Sequence, residues 1–269
     1  MISVIIVSYK RHNDVIDCVK SIKKNVKNST QIIVVCNDGK HFNKIAGVNF
    51  IYPDSNLGVA GGRNLGAKYA KNKWLMFIDD DAVVERFSVN TLSVSRKLGA
   101  LSVKSIDFYS GEFRKHENPS INGMYSSKYV GVCHLIRKNL FLSLGGYDVV
   151  SNYGMEEYNF LYKMYSTGKN VGNTDITVRH KKSKDGRGMN NEKVETLAIA
   201  KLSLIRHVVP TEIYLSHLFF WGIRLILRGS LSTLIKILKP STKREKTNFI
   251  TNRANFYLCA LKGRTNVFY

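Results

Sequence analysis

The first 95 residues alternate between short β-branched runs and stretches with helical spacing. Residues 2–7 are a short run rich in β-branched side chains, as a buried strand should be. Val15, Cys18, Val19, Ile22 and Val26 then recur at helical intervals, with Lys20, Lys23 and Lys24 facing elsewhere, which predicts an amphipathic helix. A second strand is expected over 31–36, closed by the turn Asn37-Asp38-Gly39, and a short third strand over 50–52. Residues 56–62 read as a glycine-rich loop, 63–71 as a helix, and 74–78 as a strand that runs into Asp79-Asp80-Asp81. Strands separated by helices imply an α/β, Rossmann-like, mostly parallel sheet flanked by helices. Ligands of such sheets lie beyond the carboxyl ends of the strands. Here those ends carry Ser8-Tyr9, Asn37-Asp38 and Asp79-Asp80-Asp81, so three polar clusters converge on one edge.

The pattern loosens after residue 95. Strand-like pieces fall at 100–104 and 129–136, a short helix at 139–144 before Gly145-Gly146, a helix at 156–167 stopped by Gly168, and another at 195–207 closed by Pro210. This divides the chain into 1–210, with halves 1–95 and 96–210, and a helical extension over 211–269. On a single helical wheel over 213–239, His217, Arg224, Arg228, Ser232, Lys236 and Lys239 share one third of the circumference, and Leu, Ile, Phe and Trp221 fill most of the rest. Two arrangements fit: a helix lying in a membrane interface, or one packed on the core with a solvated basic edge.

Composition narrows the classes. The chain has 269 residues, 44% of them hydrophobic and 4 of them proline, which excludes disordered and collagen-like architecture. The 4 cysteines, Cys18, Cys36, Cys133 and Cys259, lack C-x-x-C spacing, so neither a disulfide framework nor a cysteine zinc site is expected. The opening apolar run is short and lacks a basic start, reading as a strand and not a signal peptide, and no run is long enough for a spanning helix. The expected location is the cytoplasm, peripheral on the inner face of the membrane. Net charge is +21, and residues 179–269 carry 18 basic against 5 acidic side chains. Such a surplus attracts phosphate groups on nucleotide, anionic lipid or nucleic acid. Nucleic acid is disfavoured, because aromatics are not interleaved with the C-terminal basic residues and the acidic strand end would repel a phosphate backbone. A nucleotidyltransferase would need a glycine-rich loop after the first strand, and none is there.

Three adjacent carboxylates at Asp79-Asp80-Asp81 repel one another unless donors or a cation neutralise them, and oxygen ligands of this kind suit Mg²⁺ or Mn²⁺ on a diphosphate. The run from Asn56 and Gly58 to Gly66 enters a helix, where backbone N–H groups can meet an anion; Arg63 in a first helical turn is ill placed unless an anion sits there. Asp38 can accept from a base N–H, and Tyr9 offers a ring for stacking. Glu157 shares a stripe with Phe160, Leu161 and Met164, so desolvation is expected to suit it to general-base work, while Glu156 aligns with Asn159 and Lys163 as a partner. The basic segment after residue 178 suggests a lid on phosphates, with His180 as a metal ligand and Lys181, Lys182 and Arg187 as charge partners.

Taken together these residues resemble the family 2 glycosyltransferases, inverting enzymes with the GT-A fold, over about residues 1–190. The ordered pieces are the strand and turn ending at Arg11, Asn37-Asp38-Gly39, Asn56-Leu-Gly with Gly61-Gly-Arg-Asn-Leu-Gly66, Phe77-Ile-Asp-Asp-Asp81, Leu135-Ile-Arg-Lys with Leu144-Gly-Gly-Tyr-Asp148, and Glu156-Glu157. The stretch from His180 to Pro210 also looks like rhamnosyltransferase-like members that assemble surface polysaccharides. The resemblance implies a nucleotide-diphosphate sugar donor, a glycan or lipid-linked acceptor and a divalent metal, Mn²⁺ or Mg²⁺. It places Ser8, Tyr9, Asp38, Asn56, Gly58, Arg63, Asp79 and Asp80 along the donor, Lys182 and Arg187 over its phosphates, and Asp81, Asp79 and His180 on the metal. Glu157 stands where the family usually has the Asp of a Glu-Asp pair, the base that deprotonates the acceptor, and Lys163 where it often has Arg. The alternatives are a nucleotide-sugar-binding protein without catalysis and a nucleic-acid-binding protein.

Overall fold

A computed structural model describes residues 1–26, 30–88, 96–113, 121–122, 124–149, 155–181 and 209–238, with 195, 197–199, 201–202, 205–206, 255–257 and 259. The N-terminal half supplies β1 (Ile2–Ser8), α1 (His12–Asn25), β2 (Thr30–Cys36), β3 (Val48–Ile51), α2 (Gly58–Tyr69) and β4 (Trp74–Asp79). These strands pair in parallel in the order β3-β2-β1-β4. The sheet continues through β10 (Cys133–Arg137), antiparallel to β4, then β6 (Leu98–Ser102), β11 (Asn170–Gly172), β9 (Tyr125–Ser126) and β8 (Ile121–Asn122). A second, smaller sheet has the order β5-β12-β7, formed by Ala82–Arg86, Thr177–His180 and Lys104–Asp107. The sequence pattern over 100–104 therefore merges two strands that belong to different sheets, β6 and β7.

Alternation along the parallel strands splits the core into two faces. Ile5, Ile33, Leu75 and Phe77 meet Ala60 and Ala67 of α2, Phe141 of α3 (Lys138–Ser143) and Phe160 of α4 (Glu156–Ser166). Val4, Ile6, Val34, Met76 and Ile78 meet Val15, Cys18, Val19 and Ile22 of α1. All 4 cysteines are buried and free.

Two expectations need correcting. The stretch 58–62 is helix and not loop, because α2 starts at Gly58 and uses its glycines for packing. A Cβ on Gly62 would lie 2.7 Å from Val7 Cγ1, and one on Gly66 2.5 Å from Ile5 Cγ2, so a bare backbone lets the helix seat directly on β1. The span 213–239 is not one helix: α5 (Thr211–Leu227) ends at Arg228, Gly229 turns the chain with φ +71°, and α6 (Leu231–Leu238) follows. The wheel drawn through both is thereby broken, and His217, assigned to the basic stripe, is fully buried. Ile213, Leu225 and Ile237 pack into the same cluster as Phe160. Among the described residues no helix is long and apolar enough to cross a membrane.

The seating of α2 can be measured. Gly66→Ala is expected to lower stability by about 1–3 kcal/mol through overpacking against Ile5. Gly222→Ala in α5, whose new Cβ would meet only Leu234 Cδ1 at 3.7 Å, should raise it by up to about 1 kcal/mol through helix propensity. Urea midpoints of the two variants, shifted in opposite directions, check both statements.

Candidate active site

The carboxyl edge of β1, β2 and β4 opens into a cleft of about 510 Å³, lined among others by Tyr9, Arg11, Asn37, Asn56, Asp79 and His180. Its first wall is the turn after β1. The Ser8 carbonyl accepts the Asn37 N–H at 2.8 Å, which locks the ends of β1 and β2 together. Lys10 adopts φ +60°, and its N–H donates to Asp38 Oδ2 at 3.0 Å. Lys10 and Met155 are the only non-glycine residues with positive φ among the described residues, and each immediately precedes a residue of the site, Arg11 and Glu156. Backbone held in this region marks a place where surrounding contacts impose the geometry. Asn37 Nδ2 donates to the Gly58 carbonyl at 2.9 Å, and Asn56 Oδ1 accepts the Gly58 N–H at 2.9 Å, fixing the start of α2.

The end of β4 carries the acid. Asp79, Asp81 and His180 each direct a ligand atom so that all lie within 4.8 Å of one another. His180 reaches this position because β12 pairs with β5 in a register that sets His180 opposite Ala82, next to Asp81. Its Nε2 is 3.3 Å from Asp81 Oδ1, and the Lys181 N–H donates to the Asp81 carbonyl at 2.9 Å. Arg11 pairs with Asp81 and, at 3.5 Å, with Asp80. Burial pushes Asp80 up to about 7 and Asp79 up to about 6, against the opposing pull of Arg11 and Arg63 respectively. Burial acts on Asp81 too, but its hydrogen bond to His180 and the charges of His180 and Arg11 hold it below the usual carboxylate range. Two carboxylates and one imidazole within a cation's reach form an oxygen-rich donor set with a borderline nitrogen, which fits Mn²⁺ or Mg²⁺.

Arg63 occupies the floor. One amino group, Nη1, donates to Glu157 Oε1 at 2.7 Å and Glu156 Oε1 at 3.3 Å; the other, Nη2, donates to Asp79 Oδ1 at 3.0 Å and the Gly131 carbonyl at 2.9 Å. Burial disfavours its charge, but Glu157 and Asp79 outweigh that cost and keep it protonated. The anion that justifies a cation in α2 is thus a set of side-chain carboxylates. Its guanidinium faces them, although the residue also lines the cleft.

The two glutamates at the start of α4 divide differently from the expectation. Glu156 is the more buried, its side chain 7% exposed against 16% for Glu157. Burial and the neighbouring Glu157 charge push Glu156 up to about 7. Helical periodicity misleads here because α4 is covered on almost every side. The polar row of Asn159 and Lys163, which a wheel sends to solvent, is buried against Asp148, with Lys163 Nζ 2.8 Å from Asp148 Oδ1. Glu157, the more accessible of the two, keeps its carbonyl on the Tyr129 hydroxyl at 3.0 Å.

The structure therefore gathers Tyr9, Asn56, Gly58, Arg63, Asp79, Asp80, Asp81 and His180 around one cleft, with Glu156 and Glu157 joined to it through Arg63. Ser8 lies behind the wall, buried. The Asp38 carboxylate is engaged by the N–H groups of Lys10 and Lys40 and shapes the turn. Lys182 and Arg187 lie outside the described residues. Arg11 was missed as a site residue; its signal was its place three residues beyond the end of the first apolar strand, on the edge already marked by Tyr9.

Removing the shared cation is expected to be costly. Arg63→Met leaves Asp79, Glu156 and Glu157 facing one another and should destabilise the protein by about 3–5 kcal/mol near neutral pH. Carboxyls raised in the folded state but ordinary in the unfolded chain lose stability as pH rises above the unfolded value. The deficit of the variant should therefore be small near pH 5 and grow towards pH 8, as measured by denaturation in metal-free buffer across that range.

Residues 3–91 match the family model described as glycosyl transferase family 2. An uncharacterized glycosyltransferase of Haemophilus influenzae is 23% identical over 184 residues, which cover 61% of this chain and 62% of that relative's length. Among solved structures, S. aureus TarS 1–349 in complex with UDP superposes with a TM-score of 0.59 at 12% identity, covering 80% of this chain and 68% of that one. The mannosyltransferase PcManGT from Pyrobaculum calidifontis, in complex with GDP-Man and Mn²⁺, gives 0.58 at 14% identity and covers 98% and 86%. The chain thus has the fold of the GT-A glycosyltransferases and carries, over residues 3–91, the sequence pattern of family 2.

Proposed function

We propose that the protein transfers a sugar from a nucleotide-diphosphate donor to a hydroxyl group of a glycan or lipid-linked acceptor, with inversion at the anomeric carbon, in the assembly of a cell-surface polysaccharide. The observation that carries this reading is the cleft in which Asp79, Asp81 and His180 gather beside Arg63, with Glu157 joined to them through the same guanidinium. Structural neighbours hold UDP, UDP-GlcNAc and GDP-Man with Mn²⁺, which supports a sugar nucleotide as the ligand here. Asp81, Asp79 and His180 would hold a divalent ion, which when bound supplies positive charge to the leaving diphosphate.

The remaining chemistry belongs to the chain's own groups. Tyr9, 47% exposed at the cleft wall, offers a stacking face to the base. Glu157 takes the acceptor hydroxyl proton on its carboxylate. The acceptor oxygen then forms its bond to the anomeric carbon as the bond to the diphosphate oxygen breaks, and attack from the opposite face inverts the centre. Arg63, hydrogen-bonded to both Glu157 and Asp79, holds the base at a set distance from the acid that faces the donor. Glu156, buried beneath, fixes the start of α4.

A thermal-shift panel of UDP-, dTDP- and GDP-sugars with and without Mn²⁺ tests the binding half. The cognate donor at a hundredfold excess over its dissociation constant should stabilise by about 2.7 kcal/mol. Asp81→Ala should lose the Mn²⁺-dependent part of the shift. Glu157→Gln should keep donor binding while transfer falls by about 10²–10⁴. Absence of stabilisation by any sugar nucleotide, or undiminished transfer by Glu157→Gln, would overturn the reading.

A further inference from the structure

Helix α5 turns one face inward and leaves the other covered by nothing in the described structure. Ile213, His217, Gly222 and Leu225 are buried. Leu215, Phe219, Phe220, Ile223, Ile226 and Leu227 are exposed, from 43% at Ile223 to 81% at Leu227. At 3.6 residues per turn these six fall within an arc of about 140°, which also holds Ser216 and, in the first turn, Glu212, whose carboxylate accepts from the Tyr257 hydroxyl. The exposed Leu231, Ile235 and Leu238 of α6 extend the apolar surface beyond the Gly229 turn. A soluble protein rarely shows so many large apolar side chains together unless they meet another phase or partner.

The charges at its edge identify the occupant. Arg224 is exposed about 40° beyond the arc and Arg228 is exposed at the helix's C-terminal cap. A guanidinium beside an apolar arc can lay its stem along that surface while its head meets lipid phosphate. The sequence after α6, outside the described residues, carries Lys239, Lys243, Arg244, Lys246 and Arg253, with Glu245 the one acid among them. Apolar area with cations beside it, in a strongly basic C-terminal third, complements an anionic bilayer surface. The same charge opposes a second copy of the chain, since a face-to-face pair would bring two basic borders together in a protein of net charge +21. No described helix can span a bilayer, so the contact is with its surface.

We propose that the outward face of α5 and α6 docks the protein onto anionic lipid, with Phe219, Ile226 and their neighbours entering the headgroup region and Arg224 and Arg228 meeting lipid phosphate. The inference is independent of the transferase reading. Flotation of the full chain tests it, using vesicles of phosphatidylcholine alone and of phosphatidylcholine with phosphatidylglycerol. Binding to the anionic vesicles, weakened by salt, is expected, with little binding to the neutral ones. Phe219→Asp/Ile226→Asp should abolish it, and Arg224→Glu/Arg228→Glu should weaken it about tenfold or more; all four positions are exposed, so unchanged melting temperatures confirm folding. Failure of the wild type to float with anionic vesicles at low salt, or flotation of both variants like wild type, would overturn the proposal. So would a dimer in light scattering that Phe219→Asp/Ile226→Asp dissolves, since the face would then belong to a second copy.

Discussion

A guanidinium with almost no access to water must find anions, and the position of Arg63 follows from that requirement. It draws together the end of β4, the backbone at Gly131 and the first turn of α4, which are far apart in sequence. The planar fork suits this role, because each amino group serves two acceptors in directions that a lysine ammonium on a flexible stem would not hold together. The distance between Asp79 and Glu157 is consequently a property of one side chain. Whatever is bound by the first carboxylate is presented to the second across a fixed span.

The site also divides its cations by purpose. Arg63 is buried and serves the pair formed by Asp79 and Glu157, while Arg11 stands at the cleft wall and serves Asp80 and Asp81. Five carboxylates stand against these two guanidiniums and one imidazole, so acids outnumber bases at this edge despite the strongly basic chain around it. Local geometry, not net charge, decides what the pocket attracts. The left-handed backbone at Lys10 and Met155 belongs to the same arrangement, since each immediately precedes a residue of the site, Arg11 and Glu156.

Much of the N-terminal half was legible because its strands are buried on both faces and its polar residues collect at strand ends. Tyr9, Asp79, Asp81 and His180 were found from that placement or from resemblance, and they meet in one cleft. What stayed hidden depended on distant partners. Arg63 looked like a phosphate ligand because nothing local reveals that Glu156 and Glu157 lie against it, more than ninety positions away. The order of burial of those glutamates was inverted because Asp148 supplies an interior partner for Lys163, and a helical wheel cannot know this. Strand β5 escaped notice because it follows Asp81 directly, and its role, carrying β12 and His180, appears only in the sheet pairing.

Gly62 and Gly66 flank Arg63 on the face of α2 that presses on β1. The depth at which that guanidinium sits is thus set by two missing methyl groups. A screen that scored only activity would class these positions with the carboxylates of the cleft, although neither glycine has a functional group to offer a ligand. Their contribution is one of distance, and proteins sharing this architecture could tune the spacing of the site by exchanging the smallest side chains in its scaffold.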